Sequence, residues 1–216
     1  ISGVNNEQYR FNSINTDVPV FSFSKNIEGK NTKFEVVSTA INDDEIIEEP
    51  PLIGNAPSFL YRDDGQGVGS TNTGFFMHFR QGTLDRGEFS INNPTPNQTV
   101  NIDTANINDS DVWLYSLDAN GFESSAWEKV DAVEGNNIIY NSVFSQVRNV
   151  YAVTTRIEDR IGLVFSDGVF GNLPSGNFRV YYRTSANRNM NITPNAITNI
   201  SIEIPYLSRN NTQERL

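Results

Sequence analysis

Period-two alternation of apolar and polar side chains, cut every few residues by Gly, Pro, Asn or Asp, is the pattern that most restricts this chain. Successive side chains of an extended backbone point to opposite faces, so each such run buries one face and wets the other. Val18–Ser24, Thr32–Thr39, Ser58–Arg62, Gly74–Gln81, Gly87–Ile91 and Gln98–Ile102 read as strands. Asp111–Leu117, Ser125–Val130, Asn137–Val143, Asn149–Arg156, Arg160–Phe165, Asn177–Thr184 and Ile197–Ile204 continue the series, and Pro205 breaks the last one. Asp118-Ala119-Asn120-Gly121 is a turn that makes the two neighbouring runs a hairpin with a Trp on each arm. No stretch sustains a helical period, although Asn42–Pro51 fits a short helical turn as well as an edge strand. The expected fold is mainly β, built of mostly antiparallel sheets in one or two lobes. A few short helices would make it α+β.

The domain expectation follows the Asp/Asn-rich stretch at residues 104–111. It assigns 1–110 to a β-rich lobe, 111–208 to a second β lobe, and 209–216 to a linker toward a missing C-terminal region. The chain starts at Ile1 and stops at Leu216, which fits a middle piece of a longer protein. With 14 Phe, 8 Tyr and 2 Trp it has enough aromatic surface for a core, and its 29 Asn suit a loop-rich, polar exterior.

Several chemistries are disfavoured. A net charge of −10 without a basic stripe repels phosphate backbones, so nucleic acid is not an expected partner. No apolar run approaches membrane-spanning length, so membrane insertion is not expected. With no cysteine there is no thiolate, disulfide or thiolate metal site. The acidic run Asp43–Glu49 reads most plainly as a solvated face. The loop Asp63-Asp64-Gly65-Gln66-Gly67-Val68-Gly69-Ser70 invites a phosphate-cradle reading. It lacks the lysine and the following helix that a phosphate loop needs, so it reads as a mobile connection. His78, the only histidine, reads as a structural imidazole, because no serine-nucleophile motif accompanies it. Glu158-Asp159 and Glu123 with Glu128 are the carboxylates to consider for a β-rich glycosidase. Asp109-Ser110-Asp111 and Ser166-Asp167-Gly168 lack the calcium-loop pattern. No catalytic residue, metal ligand or cofactor site is assigned. Trp113, Tyr115 and Trp127 are interface or glycan-stacking candidates, and cross-strand core pairing is their plainer role.

One stretch carries more information. In FSDGVFGNLPSGNFRVYYR, residues 165–183, Asp167 can accept hydrogen bonds from its own downstream backbone and Gly168 can take a positive φ. Gly171, Pro174 and Gly176 then redirect the chain into a strand with Phe178, Val180 and Tyr182 on one face. This stretch resembles the signature of phage baseplate J-like proteins, with Ser166 standing where that pattern has glycine. Phe165, Asp167, Gly168, Gly171, Pro174, Gly176, Tyr182 and Arg183 are the residues that carry the likeness.

The wider segments WEKVDAVEGNNIIYNS, VRNVYAVTTRIEDRI and ISIEIPYLSRNNTQERL resemble the large wedge subunit of the inner baseplate ring in T-even-type contractile-tailed phages. The resemblance implies a structural virion protein of the tail baseplate, assembled in the host cytoplasm and without catalysis or cofactor. It implies self-association and contacts with other wedge and hub proteins. A carbohydrate-binding tail adhesin is the alternative, and a β-rich glycosidase ranks third.

Overall fold

The computed structural model describes residues 5–10, 21–42, 45–51, 58–67, 69–133, 148–185, 192–193, 197, 199–202, 205–207 and 213–215. The described residues form a mainly β, mostly antiparallel structure, as the alternation requires. Their helical content is one three-residue 3-10 turn, Ile157–Asp159. The chain divides into two compact units, residues 1–82 with 189–216, and residues 83–188.

The first unit begins with β1 (Asn5–Arg10), β2 (Phe21–Ile27), β3 (Lys30–Val37), β4 (Thr39–Asn42) and β5 (Glu45–Glu48). It continues with β6 (Ser58–Asp63), β7 (Gly74–Phe76) and β8 (His78–Gln81). These make two three-stranded sheets, β1-β6-β7 and β2-β3-β8, and the hairpin β4-β5. The β2–β3 turn uses Glu28 (φ 51°) and Gly29 (φ 79°), the left-handed pair that matches the twist of a two-residue hairpin. Phe23, Ile27, Phe34, Val36 and Phe59 form the core of this unit. Phe23 stacks on Phe34 with ring centroids 5.3 Å apart.

The second unit is a seven-stranded sheet. Its strands are β9 (Thr83–Ile91), β10 (Thr99–Ile102), β11 (Ile107–Leu117), β12 (Glu123–Lys129), β13 (Val150–Thr155), β14 (Ile161–Phe165) and β15 (Gly176–Thr184). Their order is β10-β14-β13-β12-β11-β15-β9, with only β12 and β13 parallel. The outer strands β9 and β10 are consecutive in the chain, separated by residues 92–98. In a flat sheet six strand spacings would hold them about 29 Å apart. The eight steps from Ile91 to Thr99 reach about 28 Å only when fully extended. The connection instead bends at Asn92 and Asn93 and turns at Pro96 and Asn97. The sheet therefore curls almost into a barrel.

Every strand sends side chains into the enclosed core. Ile91 and Phe89 come from β9, Val100 and Ile102 from β10, Val112 and Leu114 from β11, and Trp127 from β12. Ile107, Tyr151, Val153, Ile161, Leu163, Phe165, Phe178, Val180 and Tyr182 complete it. Phe178 sits at its centre, stacked on Phe89 at 5.2 Å and edge-on to Trp127 at 5.6 Å. Thr83, where β9 and the unit begin, lies directly opposite Thr184, the last residue of β15.

Several readings change, Thr32–Thr39 among them, since it divides at Ser38 between β3 and β4. Gly74–Gln81 is two strands rather than one, because β7 pairs with β6 and β8 pairs with β3. The 110/111 lobe boundary falls inside β11, which runs unbroken from Ile107 to Leu117, and the units divide at 82/83 and 188/189 instead. The described positions 197 and 199–202 are not strand. Pro205 opens β16 (Pro205–Leu207), which pairs with β17 (Gln213–Arg215), so part of the expected 209–216 linker belongs to a hairpin. The expected strand Asn137–Val143 lies outside the described residues.

Replacing Phe178, fully buried among aromatic rings, by Ala is expected to cost about 3–5 kcal/mol. Urea unfolding followed by tryptophan fluorescence measures it, and a midpoint equal to that of the parent would contradict the assigned core.

Candidate functional site

The stretch 165–183 leaves β14, turns, and returns as β15. Phe165 ends β14 with its ring inside the core. Ser166 is also fully buried. Its carbonyl accepts the Asn97 N–H at 3.2 Å, and its hydroxyl accepts the Gly171 N–H at 3.0 Å. Ser166 has no positive φ, so serine fits without backbone strain and adds a hydrogen bond that glycine could not make. Asp167 Oδ1 accepts the N–H groups of Val169 at 2.8 Å and Phe170 at 3.1 Å. These bonds, Phe170's first, hold the Asp167 carboxyl below the ordinary carboxylate range.

Gly168 has φ +86°, and a Cβ there would meet the Leu173 side chain at 3.0 Å. Gly171 is needed for a different reason. An added Cβ would lie 2.8 Å from both Ser166 Cβ and Val150 Cγ2. Pro174 is buried and Gly176 takes φ +96° into β15. Asn172 pins the loop over the start of β13, its N–H donating to Arg148 O at 2.7 Å and its amide to Asn149 Oδ1 at 2.8 Å. Asp167 is thus a turn former whose carboxylate is occupied by its own backbone.

The return strand alternates between two environments. Phe178, Val180 and Tyr182 face the core, and the Tyr182 hydroxyl shares a 3.0 Å hydrogen bond with Thr104. Arg179, Tyr181 and Arg183 lie on the opposite face, yet all three are buried. The Arg179 guanidinium donates to Glu123 Oε1 at 2.6 Å, to Glu88 Oε1 at 2.7 and 2.9 Å, and to the Gly121 carbonyl at 3.1 Å. The Tyr181 hydroxyl donates to the same Glu123 oxygen at 2.7 Å. Burial pushes the Glu123 carboxyl upward, but the Tyr181 and Arg179 hydrogen bonds outweigh it and leave the group below its ordinary value. Burial, and then the Glu123 charge, push the nearby Tyr115 phenol up to about 12.

A bulge makes this arrangement possible. Ser116 opposes Ser125, but Leu117 opposes Glu123, so Ser124 is one residue extra on β12. An extra residue flips everything beyond it to the other face, and here it carries Glu123 to the side of Arg179. Arg183 lies 3.8 Å from Asp111, both buried, and its guanidinium carbon sits 5.2 Å from the centre of the Trp113 ring.

The three singled-out aromatics are not brought together. Trp127 points into the core, edge-on to Phe165 at 5.3 Å, with Nε1 donating to Ser116 Oγ at 2.8 Å. Trp113 and Tyr115 lie on the other face, beneath Arg183 and against Tyr181 respectively. They do not form one stacking platform. His78, read from the sequence as a structural imidazole, has an exposed side chain at the start of β8.

The glycine-rich loop is organised by Asp64, which accepts the Gln66 N–H at 2.9 Å and the hydroxyls of Ser70 at 2.5 Å and Thr73 at 2.8 Å. An internal carboxylate takes these donors, and a strand follows rather than a helix. From the acidic run, Glu48 pairs with Arg80 at 3.0 Å and Glu49 accepts the Ser38 hydroxyl at 2.6 Å, while Asp43 and Asp44 lie outside the described residues. Glu158 and Asp159 occupy the β13–β14 turn with left-handed φ, and Glu158 pairs with Arg160 at 2.7 Å. Among the described residues no group of three or more His, Cys, Asp or Glu is placed to hold a metal, and no helix is long and apolar enough to cross a membrane. Sequence reading missed Arg179, Glu123 and Tyr181 as a group. Alternation marks β15 as a strand but does not reveal that both its faces are buried.

The family model of a domain of unknown function, DUF8360, matches residues 1–216. No curated protein and no solved structure matches the chain.

Three measurements follow from this geometry. Arg179→Met would leave Glu123 buried without its cation, with an expected cost of about 3–5 kcal/mol in chemical denaturation. Gly168→Val forces a β-branched residue into the left-handed region and is expected to cost at least about 1–2 kcal/mol. The Asp167 carboxyl has a depressed value in the folded state. Its contribution is complete above the unfolded value of about 3.9 and is lost as pH falls through the folded value. Asp167→Asn should therefore flatten the acid limb of the stability profile below about pH 4. Identical limbs in variant and parent would contradict the turn bonds.

Proposed function

The chain belongs to the DUF8360 family along its whole length; on the separate ground of the stretch 165–183, we propose that it is a structural component of a contractile-tailed phage baseplate wedge. It works by self-association and by binding neighbouring wedge and hub proteins, in the virion, without catalysis. The observation that carries this reading is the stretch 165–183. The residues that resemble the baseplate J-like signature all serve backbone geometry or buried packing. Asp167 closes a turn, Gly168 and Gly171 supply a positive φ and a close approach, and Phe165 and Tyr182 fill the core. Arg183 is held between Asp111 and Trp113. A motif spent on shape fits a protein whose task is to hold a fixed form among partners.

The carboxylates considered for hydrolysis lend no support to an enzyme, since Glu123 is tied to Arg179 and Tyr181, and Glu158 sits in a strained turn. The separation of Trp127 from Trp113 and Tyr115 likewise withdraws the feature that favoured a glycan platform.

Immunogold labelling of purified virions with antibody raised against this chain should decorate the baseplate. Gold confined to the fibre tips, or none on the virion, would overturn the reading.

A further inference from the structure

Of the 29 asparagines in the chain, only Asn120 is followed by glycine. A tight hairpin asks for this pair, and Gly121 duly takes φ +83°. The pair also has a chemistry of its own. An asparagine side chain closes into a ring when the next backbone nitrogen attacks its Cγ, and a side chain on that next residue crowds the approach. Asn120 lies at the tip of the β11–β12 hairpin, where Asp118, Ala119, Asn120 and Phe122 are all exposed. A Cβ placed on Gly121 would meet nothing within 4 Å, so the space beside the attacking residue is open.

Few bonds hold this turn. The Gly121 N–H donates to the Asp118 carbonyl at 3.1 Å, and Asp118 Oδ1 accepts the N–H groups of Asn120 at 2.8 Å and Phe122 at 2.9 Å. The Asn120 side-chain amide also bonds to the Asp118 carboxylate. Freeing the Gly121 nitrogen breaks one backbone bond, and an exposed hairpin tip belongs to the low-stability end of a fold. The described Asp-Gly pairs, Asp64-Gly65 and Asp167-Gly168, close the same ring only as protonated acids. Hydrogen bonds, from Ser70 foremost in the first and from Phe170 in the second, keep those carboxyls ionised.

We propose that Asn120 is the site of spontaneous deamidation in this chain, and that the change is transmitted to the buried Arg179 group. The Gly121 nitrogen gives its proton to solvent and forms a bond to Asn120 Cγ. The bond from Cγ to the amide nitrogen breaks, and ammonia leaves. Water then opens the cyclic imide at one of its carbonyls. Cleavage at Cγ gives aspartate, whereas cleavage at the main-chain carbonyl gives isoaspartate, with the backbone running through the former side chain. One water is consumed and one ammonia released, and nothing is oxidised or reduced.

Both products bear on Arg179. The Gly121 carbonyl accepts from its guanidinium at 3.1 Å, and Glu123, two residues on, accepts from it at 2.6 Å. Isoaspartate inserts a methylene into the main chain directly before Gly121, so the carbonyl and the Glu123 carboxylate cannot both keep their places. Aspartate leaves the main chain intact but sets a second carboxylate against Asp118, where an amide had donated. None of this rests on the baseplate reading.

The purified 216-residue chain, aged in mildly alkaline buffer, can be digested and mapped by tandem mass spectrometry. Asn120 should convert before every other asparagine, with isoaspartate the larger product, detected by enzymatic methylation of isoaspartyl groups. Asn120→Ser should remove that early methylation. The isoaspartyl fraction, separated by anion exchange, should melt about 2–4 °C below the fresh chain, the shift that loss of one hydrogen bond gives a chain of this size. Asn120→Asp should melt between the two. Arg179→Lys keeps the charge but loses the fork that reaches Gly121, so ageing should lower its melting temperature by less. Another asparagine converting first would overturn the site. An isoaspartyl fraction that melts with the fresh chain, or an equal shift in Arg179→Lys, would overturn the link to Arg179.

Discussion

A seven-residue connection between the two outermost strands of a seven-stranded sheet governs the second unit. Because β9 and β10 cannot be far apart, the sheet must roll up, and rolling creates an inside. The inside collects aromatic rings from four strands, Phe89, Trp127, Phe165 and Phe178, whose edge-on and stacked contacts fill a space that flat sheets leave open. The hydrogen bonds from Asn97 to Ser166 and from Phe165 to Gln98 fasten the connection to the strand it must meet. Closure and the turn at Asp167 are thus parts of one construction.

The opposite face follows a different logic. Burying Arg179 there is tolerable only because two carboxylates, a carbonyl and a phenol surround it. That set is assembled from β9, the β11–β12 turn, β12 and β15, elements far apart in the chain. One surplus residue, Ser124, decides whether Glu123 joins it. A change in the length of this hairpin would therefore disturb charge balance as well as strand register.

How much of this was legible in the sequence depends on the range of the interaction. Alternation and turn residues are local, so β14, β15, the Trp-bearing hairpin and the roles of Asp167 and Gly168 could be read directly. Gly74–Gln81 looked like a single strand because a switch of partners at Met77 leaves no mark on alternation. The unit boundary was misplaced because the second unit interrupts the first, and a linear reading favours contiguous lobes. Ser166 holds the turn through a hydroxyl that accepts a backbone N–H five residues on, a contact visible only once the turn is closed. The Arg179 group is wholly non-local and carried no signal in spacing.

The opposed pair Thr83 and Thr184 has a mechanical meaning. Tension arriving along the chain on both sides of the second unit acts on two neighbouring strands at one end, pulling β9 and β15 apart across their ladder. Ladder bonds loaded in this way open one rung at a time, like a zip, and not all together as they would if the strands were drawn lengthwise past each other. The first rungs to yield lie beyond the aromatic core. The unit is thus built to give progressively from its point of attachment while its interior stays packed.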